Sequence, residues 1–515
     1  MGAYLRSGAR VADVPSLLER AARAAGGFAS LGIGPGDVVA VYLRNDFAFF
    51  EASVAAGLVG AYSTPVNWHN SPDEAAYIFD NSGAKAIVIH ADLYHPIASA
   101  IPAHVPVFVV ETPPEIISAY GISADASRLP QGVPVWDAWL SGFAPRAQGP
   151  DEAPGSMIYT SGTTGHPKGV RRNQPTPEQI AAQQRGIATV MGFNEQFAPA
   201  GEIVTVITGP MYHSAPNAYG LTGLKLGASI ILQPRFDPEE LLALIERHRV
   251  THLHMVPTMF VRLLKLPEVV KRKYDLSSLR FVVHAAAPCP VHVKQAMIEW
   301  WGPVINEYYG ATETGAVVFC TSEEWLKHPG TVGKALPNAR VMVLDENGNE
   351  VSRGATGEVV ARQPDIADFT YHGDDEKRRR TEKRGLISAG DIGYLDEDGF
   401  LYLCDRAKDM VISGGVNIYP AEIEAELHKM PGVADCAVFG IPDEEFGETV
   451  CAIVQRQPGA DFEPEAVRSF LRERIAGYKV PKRVEFRSEL PREDSGKIFK
   501  RKLREPFWEG QNRRI

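Results

Sequence analysis

The sequence is poor in cysteine, in net positive charge and in long apolar runs. Its five cysteines are scattered, with no Cys-x-x-Cys pair, which favours free thiols over a disulfide framework or a zinc site. A net charge of -10 argues against a general nucleic-acid binder. No apolar run approaches the roughly 20 residues that cross a bilayer, and the initial MGAYLRSGAR lacks the apolar core of a secretory signal. We therefore expect a cytoplasmic protein with no transmembrane segment and no nucleic-acid partner.

Short apolar runs alternate with helical patterns through most of the 515 residues. Two of the helical patterns begin with a capping box, Thr176-Pro-Glu-Gln179 and Asp237-Pro-Glu-Glu240. The runs typical of strands are VVAVYLRN (38–45), AIVIH (86–90), PVFVV (106–110), ASIILQ (228–233), VTHLHMV (250–256) and LRFVVH (279–284). This alternation predicts an α/β fold, in which a large N-terminal domain over residues 1–404 has mainly parallel sheets flanked by helices.

The pattern changes after about residue 404. A Gly-rich turn, SGGVN (413–417), precedes a helix that starts near Pro420, and two apolar strands, a further helix and a basic tail follow. We predict a small α+β domain over residues 405–515. The charged run KRRRTEKR (377–384) is interpreted as a solvated loop rather than a localisation signal.

The stretch YTSGTTGHPKG (159–169) has the composition of a phosphate-binding loop. Glycines let backbone N–H groups converge on an anion, hydroxyls add neutral donors, and Lys168 adds a cation. It is not the common P-loop, because no register ends in Gly-Lys-Ser/Thr. The loop lies between a predicted strand (156–160) and the helix capped by Thr176, where ligands bind in α/β folds. A flexible Ser/Gly linker, the alternative, would not need Lys168.

Three further segments carry groups that suit a nucleotide. In EYYGATETG (307–315), Glu313 could share Mg²⁺ with phosphate oxygens, and Tyr309 offers a flat face to a base. Asp391 follows a glycine and could accept hydrogen bonds from sugar hydroxyls. Lys497 lies in a turn within PREDSGK. Taken singly, these segments also fit an ordinary strand and loop, a domain linker and a solvated basic tail.

In this order the motifs resemble those of the adenylate-forming (AMP-binding) superfamily, which includes acyl-CoA and aryl-CoA synthetases, adenylation domains of peptide synthetases and firefly-type luciferases. The resemblance runs from about residue 30 to residue 505. The matching segments are YTSGTTGHPKG, PMYHSAP, YYGATE, GTVGKAL, GEVV, the stretch GDIGYLDEDGFLYLCDRAKDMVISGGVN and SGKIFKRKLR. EYYGATE with SEEWLKHPGTVG is more similar to bacterial fatty-acid, bile-acid and hydroxycinnamate CoA ligases than to peptide-synthetase domains.

The resemblance implies a two-step reaction. A carboxylate attacks the α-phosphate of ATP and releases pyrophosphate, and the thiol of CoA then displaces AMP from the acyl adenylate. The implied cofactors are ATP, Mg²⁺ and CoA as cosubstrate, and the implied partner is a small carboxylic acid, with a homodimer left open. The small C-terminal domain would be mobile and would rotate between the two steps about a hinge at Lys408.

The resemblance also assigns roles to individual residues. Thr312 would contact the α-phosphate, Glu313 would hold Mg²⁺, and His213 would face the carboxylate. Lys497 would bridge the carboxylate and the α-phosphate, so its loss should abolish the first step and largely spare the second. Gly414 and Gly415 would line the route of CoA. The implied nucleotide-binding residues are Thr160, Ser161, Gly162, Thr163, Thr164, Gly165, Lys168, Ala286, Ala287, Tyr309, Asp391 and Arg406.

The implied acyl pocket is built from small, uncharged residues. Its members are Ser214, Ala215, Asn217, Ala218, Ala285, Gly310, Ala311, Gly315 and Ala316. We predict a roomy apolar pocket for an aryl, alicyclic or fatty acid, and no dicarboxylate, because no Lys or Arg is placed to meet a second carboxylate. His252 and His254 share one face of a strand, but two imidazoles without a third ligand make a weak metal site, so we interpret them as plain strand residues.

Three alternatives to an acid–CoA ligase stay open. An adenylation enzyme could pass the acyl group to a carrier protein, although no carrier domain follows Lys497 in this chain. Luciferase-type oxygenation is not excluded by the sequence. A non-catalytic relative would not need Lys168, Glu313 and Lys497 together.

Overall fold

The structure is a computed structural model. It describes residues 2–146, 149–150, 153–160, 167–199, 201–406, 409–413, 416–492 and 498–509, with the backbone alone at Gln184 and Arg406.

The described residues form strands and helices throughout. The strands are β1 (Tyr4–Ser7), β2 (Arg10–Asp13), β3 (Val38–Tyr42), β4 (Tyr62–Pro65), β5 (Ala84–His90), β6 (Val107–Val110), β7 (Ile158–Thr160), β8 (Lys168–Arg172), β9 (Val204–Ile207), β10 (Ser229–Leu232), β11 (His252–Met255), β12 (Phe281–His284), β13 (Ile305–Ala311), β14 (Gly315–Cys320), β15 (Lys334–Ala335), β16 (Arg340–Leu344), β17 (Gly357–Arg362), β18 (Phe369–Tyr371), β19 (Glu382–Lys383), β20 (Leu386–Leu395), β21 (Leu401–Arg406), β22 (Val411–Ser413), β23 (Val416–Ile418), β24 (Val433–Asp443), β25 (Gly447–Arg456) and β26 (Arg483–Arg487). The α-helices are α1 (Val14–Ser30), α2 (Phe47–Leu58), α3 (Pro72–Ser82), α4 (Ala91–Ile97), α5 (Pro114–Tyr120), α6 (Trp136–Ser141), α7 (Pro177–Met191), α8 (Ser214–Lys225), α9 (Pro238–His248), α10 (Pro257–Leu264), α11 (Glu268–Lys271), α12 (Val291–Trp301), α13 (Ser322–Lys327), α14 (Asp375–Arg380), α15 (Pro420–Leu427), α16 (Pro464–Arg472) and α17 (Lys500–Trp508).

The largest sheet has nine strands in the order β15-β14-β13-β12-β11-β9-β10-β1-β2. Its middle, from β13 to β1, is parallel, and antiparallel strands close both edges. Strands β10, β11 and β12 are buried at every residue, as parallel strands between two helix layers are. The carboxyl ends of β9, β11, β12 and β13 therefore meet at one edge, which is where α/β folds bind ligands.

Three smaller sheets complete the N-terminal part. Strands β4-β3-β5-β6 form a parallel sheet, and β3 (VVAVY) is buried throughout. Strands β16, β17, β20, β19 and β21 form an antiparallel sheet, and β18-β8-β7 form another. In the described part of the chain no helix has the length and hydropathy that a membrane span requires.

The strands from Val411 onward form a separate sheet, β23-β22-β25-β24, with β26 beside β25. Helices α15, α16 and α17 cover this sheet, whose apolar cores include Val438 and Phe439. A direct link to the N-terminal part is made by Lys265, whose Nζ donates to the carbonyl oxygen of Ala434 at 2.6 Å.

The predicted fold class, α/β with a small α+β C-terminal part, is confirmed. The capping box at Thr176 forms as predicted. At Asp237 only half of the box forms, because the Glu240 carboxylate accepts from Gln233 instead. The predicted phosphate-binding loop (159–169) is not followed directly by helix α7, since strand β8 lies between them. The boundary at residues 404 and 405 stays a prediction.

Candidate active site

A cavity of about 1700 Å³ opens at the carboxyl ends of the central parallel strands. Its wall is formed mainly by β7, β8, α7, α8 and the segments that follow β9, β11, β12 and β13. The sequence-predicted residues that line it are Thr160, Lys168, His213, Ser214, Ala215, Asn217, Ala218, Ala285, Ala286, Ala287, Gly310, Ala311, Thr312, Glu313, Gly315 and Ala316. The cavity thus brings the predicted acyl pocket and part of the predicted nucleotide site into one space.

Strands β7 and β8 hold the two ends of the predicted phosphate-binding loop side by side. Strands β7 and β8 are antiparallel, and Thr160 and Lys168 are paired across the ladder. Lys168 lies at the cavity wall with its Nζ 5.8 Å from the ring centre of Tyr371. The predicted site residues outside the described residues are Ser161, Gly162, Thr163, Thr164, Gly165, Lys408, Gly414, Gly415 and Lys497, together with the side chain of Arg406.

Arg172 holds the backbone of the Thr312-Glu313 segment. Its guanidinium donates to the carbonyl oxygens of Thr312 at 2.6 Å and Glu313 at 3.2 Å. Burial lowers the pKa of Arg172 to about 10, against the opposing effect of the Glu313 carboxylate, so the group remains a cation at neutral pH. The carbonyl oxygens of Thr312 and Glu313 bond to Arg172, and both residues form part of the cavity wall.

The two side chains of this segment have defined partners. Thr312 Oγ1 donates to the hydroxyl of Ser214, at the first turn of α8, over 3.1 Å. Tyr371 donates from its hydroxyl to Glu313 Oε1 over 3.0 Å. The positive end of the α8 dipole faces the same region, which favours an anion there. Arg172 and Tyr371 were not predicted as site residues, because their partners are far away in the chain.

Glu313 meets the requirements of a magnesium ligand. Mg²⁺ in nucleotide sites takes one or two protein carboxylates and completes its shell with phosphate oxygens and water. The Glu313 carboxylate lines the same cavity as Lys168 and Thr160, two residues of the predicted phosphate-binding loop. Its donor chemistry therefore fits the ion that the sequence predicts.

Main-chain geometry shapes the wall between β12 and β13. Ala286 has φ of 73°, a left-handed conformation that is costly for a residue with a Cβ. Gly310 has no room for a side chain, because a Cβ would lie 2.1 Å from the carbonyl oxygen of Gly315. Both residues line the cavity, so backbone rather than side chain faces a ligand at Gly310.

Tyr309 and Asp391 are neighbours of lining residues. The Tyr309 hydroxyl donates to Asp391 Oδ2 at 2.7 Å, and Gly310 and Gly390 beside them line the cavity. Asp391 pairs with Arg406 in the β20–β21 ladder, so these two predicted nucleotide-binding residues are adjacent in the backbone.

The cavity has a cationic part and an apolar part. Its lining cations, Lys168, Arg171, Arg172, Lys377, Arg380, Lys383 and Arg504, come from β8, α14, β19 and α17. Among the described residues, α7 and α8 contribute no lysine or arginine to the wall. Gly186 of α7 and Leu221 of α8 are typical of what they do contribute.

The two strand histidines have protein partners. His252 bonds through its two ring nitrogens to Gly192 O and Thr251 Oγ1, each at 2.8 Å. His254 Nε2 lies 3.2 Å from the hydroxyl of Tyr308. Burial lowers the pKa of both histidines to about 4. His254 differs from the plain strand residue that we predicted, because it also lines the cavity.

A buried ion pair lies beside the ends of β12 and β13, on the face opposite the cavity. Lys294 Nζ donates to Glu307 Oε2 at 2.6 Å, and His284 Nε2 lies 3.4 Å from the same oxygen. Burial raises the pKa of Glu307 and lowers that of His284. Since Glu307 precedes Tyr308 in β13 and Lys294 lies in α12, the pair anchors β13 to α12, and His284 at the end of β12 lies beside it.

Comparison with known proteins identifies the family. The family described as AMP-binding enzyme matches residues 15–369, and that described as AMP-binding enzyme C-terminal domain matches residues 422–497. The first match covers more than half of the 515 residues, so the chain belongs to the AMP-binding enzyme family.

Individual relatives span nearly the whole chain. The feruloyl-CoA synthase of an Amycolatopsis species is 32% identical over 510 residues, which are 98% of this chain and 95% of that protein. The fatty acid–[acyl-carrier-protein] ligase ScoC of Streptomyces coeruleorubidus is 32% identical over 494 residues, 94% and 89% of the two chains. ATP-bound MatB from Rhodopseudomonas palustris matches with a TM-score of 0.82 and 28% identity, over 98% of this chain and 96% of that one.

The family and its members confirm the predicted enzyme class. The protein is an AMP-forming ligase that activates a carboxylic acid with ATP and transfers the acyl group to a thiol, with CoA as the predicted acceptor.

Proposed function

We propose that this enzyme joins a bulky, mainly apolar carboxylic acid to CoA through an acyl adenylate. The observation that carries the proposal is the shared cavity, whose wall holds Lys168 and Glu313 and, on α7 and α8, mainly small or apolar residues. The volume of about 1700 Å³ leaves room for a large acid beside a nucleotide.

The residues of the cavity suit the first step. A carboxylate oxygen of the acid attacks the α-phosphorus of ATP, and the bond to the pyrophosphate oxygen breaks with its electron pair. Lys168 would offset charge on the leaving pyrophosphate, and Thr312 would donate to the α-phosphate. Glu313 would hold Mg²⁺, whose chemistry here is to neutralise phosphate charge. His213, at the N-cap of α8, would orient the attacking carboxylate.

The second step breaks the adenylate. The sulfur of CoA attacks the acyl carbon, and AMP leaves with the electron pair of the acyl–oxygen bond. We assign this step to a second orientation of a C-terminal domain over residues 405–515, with the hinge at Lys408. In that domain Lys497 would serve the first step, and Gly414 and Gly415 would line the route of the thiol.

A carrier protein is the alternative to CoA as the acceptor of the acyl group. Transfer to a carrier protein is the second candidate, because the relative ScoC is named as a fatty acid–acyl-carrier-protein ligase. The name of the Amycolatopsis relative, and its coverage of 98% of this chain, support CoA.

A pyrophosphate-release assay tests the proposal. The enzyme is given ATP, Mg²⁺ and a panel of aryl, alicyclic, fatty and short acids, with and without CoA, and AMP and thioester are quantified. We expect CoA-dependent AMP formation with a bulky acid. Pyrophosphate release that CoA does not accelerate would favour the carrier protein. The highest kcat/KM on acetate would refute the bulky substrate.

A further inference from the structure

A hydrogen-bonded polar pair forms part of the cavity wall. His254 and Tyr308 both line the cavity, and their Nε2 and hydroxyl oxygen are 3.2 Å apart. The side chain of His254 is otherwise buried, since the residue is 5% exposed. In the described part of the chain the Tyr308 hydroxyl has no second hydrogen-bond partner.

Strand register explains why the pair faces the cavity. Met255, His284 and Glu307 are aligned across β11, β12 and β13, and their side chains point to the buried side that holds Lys294. Side chains alternate along a strand, so the residues one position away point to the other side. That side carries His254 and Tyr308 together with Val256 and Ala285, and all four line the cavity.

The pair can satisfy either sense of a hydrogen bond. Burial lowers the pKa of His254 to about 4, so its ring is neutral near pH 7 and carries one N–H. If Nε2 accepts from Tyr308, the phenol oxygen can accept from a ligand hydroxyl. If Nε2 donates to Tyr308, the phenol O–H can donate to a ligand carbonyl. A purely apolar ligand would displace water from the Tyr308 hydroxyl without replacing its hydrogen bond, which costs free energy.

The pair is separated along β13 from Thr312, the residue proposed to contact the α-phosphate. Extended chain rises roughly 3.3 Å per residue and β13 runs to Ala311, so roughly 10 Å of backbone separates Tyr308 from the residue before Thr312. An acid of two or three carbons would not reach from one to the other.

Resting on the proposed function, we propose that His254 and Tyr308 select an acid that carries an oxygen at the end remote from its carboxylate. The substrate class is therefore a hydroxylated aryl acid or an alicyclic acid with a hydroxyl or ketone, rather than a plain fatty acid. Tyr308 is the direct contact, and His254 positions the phenol.

The test compares two acids on three forms of the enzyme. The acids are 3-(4-hydroxyphenyl)propenoate and 3-phenylpropenoate, which differ by one hydroxyl. The forms are wild type, Tyr308→Phe and the control Tyr219→Phe. Tyr219 also loses a buried hydroxyl, bonded to Thr205 Oγ1 at 3.1 Å, but it does not line the cavity. The readout is kcat/KM for CoA-dependent AMP formation, with KM and kcat separated.

We expect wild type to prefer the hydroxylated acid by roughly tenfold or more, chiefly through KM. Tyr308→Phe should reduce the preference to about threefold or less, and Tyr219→Phe should keep it. Equal kcat/KM for the two acids on wild type overturns the inference, and so does a preference that survives in Tyr308→Phe. The wild-type ratio decides the matter even if a variant fails to fold.

The outcomes separate the inference from the proposed function. If plain apolar acids turn over with CoA but the hydroxyl brings no gain, only the inference fails. If no acid supports CoA-dependent AMP formation, the proposed function fails, and the inference fails with it.

Discussion

Tyr371 donates a hydrogen bond from its hydroxyl to the carboxylate of Glu313, a residue 58 positions earlier in the chain. The bond uses one carboxylate oxygen and fixes the rotamer of the proposed magnesium ligand. Tyr371 also lies near two cations, since Lys168 and Lys377 are each within 6 Å of its ring centre. The ring therefore connects the cationic part of the cavity to Glu313.

We expect removal of the Glu313 charge to be far more damaging than removal of its partner. Glu313→Gln should reduce the rate of pyrophosphate release on the order of 100-fold, because it removes the carboxylate that would bind Mg²⁺. Tyr371→Phe should reduce it by about tenfold or less, and should raise the Mg²⁺ concentration needed for half-maximal rate. The measurement is initial pyrophosphate release as Mg²⁺ is varied.

Tyr274→Phe is the matched control for this pair. The Tyr274 hydroxyl also donates to a glutamate, Glu239 Oε1 at 3.0 Å, but neither residue lines the cavity. This variant should keep the wild-type magnesium dependence. A Tyr371→Phe enzyme with the same dependence as wild type would remove Tyr371 from the magnesium site.

We expect Gly186 to set the size of acid that the cavity accepts. It lies within α7 at the cavity wall, and a Cβ built there meets no atom within 4 Å. Gly186→Ala should stabilise the helix by about 0.5–1 kcal/mol, because glycine is a poor helix former. Gly186→Leu should fill the space and reduce kcat/KM for bulky acids by roughly tenfold or more, while smaller acids are affected less.

The Gly186 series is measured as thermal stability and as kcat/KM over acids of increasing size. Arg185→Leu serves as the control, because the neighbouring side chain is exposed and does not line the cavity. If Gly186→Leu and Arg185→Leu give the same order of preferred acids, α7 does not bound the acyl pocket.

The sequence predicted the elements that are governed by local patterns. The buried runs of β3, β5, β11 and β12 and the capping box at Thr176 depend on near neighbours in the chain, and they form. Strand β8 was missed because KGVRR reads as a charged stretch, although two of its residues are buried between β7 and β18. Its burial follows from pairing that no local pattern reveals.

Sequence motifs named some of the residues that line the cavity and left others unpredicted. Residues within motifs, such as Thr312, Glu313 and Lys168, line the cavity, and the roles that the resemblance assigns to them stay predictions. Arg172, Tyr371 and the pair of His254 with Tyr308 act through contacts between distant segments. Such partners become visible only when the strand register is known.

Ala286 stores backbone strain at the cavity wall. A residue with a Cβ at φ of 73° costs of order 1 kcal/mol or more, which glycine avoids. We expect Ala286→Gly to stabilise the protein by about 1 kcal/mol, measured as an increase in Tm. The adjacent Ala287→Gly should lower the Tm, because Ala287 is not among the residues with positive φ. Equal shifts in the two variants would contradict the strain.

Buried histidines should make the fold sensitive to mild acid. Burial lowers the pKa of His252, His254 and His428 from 6.5 to about 4. Between these values the unfolded chain binds more protons than the folded one, so stability is complete above pH 6.5 and is lost as the pH falls toward 4. For His254 the shift corresponds to roughly 3 kcal/mol.

The measurement is the Tm between pH 7.5 and pH 4.5. We expect a steep fall below pH 6.5 in wild type and a shallower one in His254→Gln. His104→Gln, which alters an exposed histidine, should follow wild type. A flat Tm across this range would show that the buried rings gain protons without cost.

The pairing of Thr160 with Lys168 bears on how the length of the predicted phosphate-binding loop affects stability. The ladder holds both ends of the segment together, so the entropy of closing the loop depends on the seven intervening positions only through the logarithm of their number. Inserting two residues would cost only a few tenths of a kcal/mol in folding. The pairing of the two strands therefore makes the stability of the protein insensitive to small changes in the length of this segment.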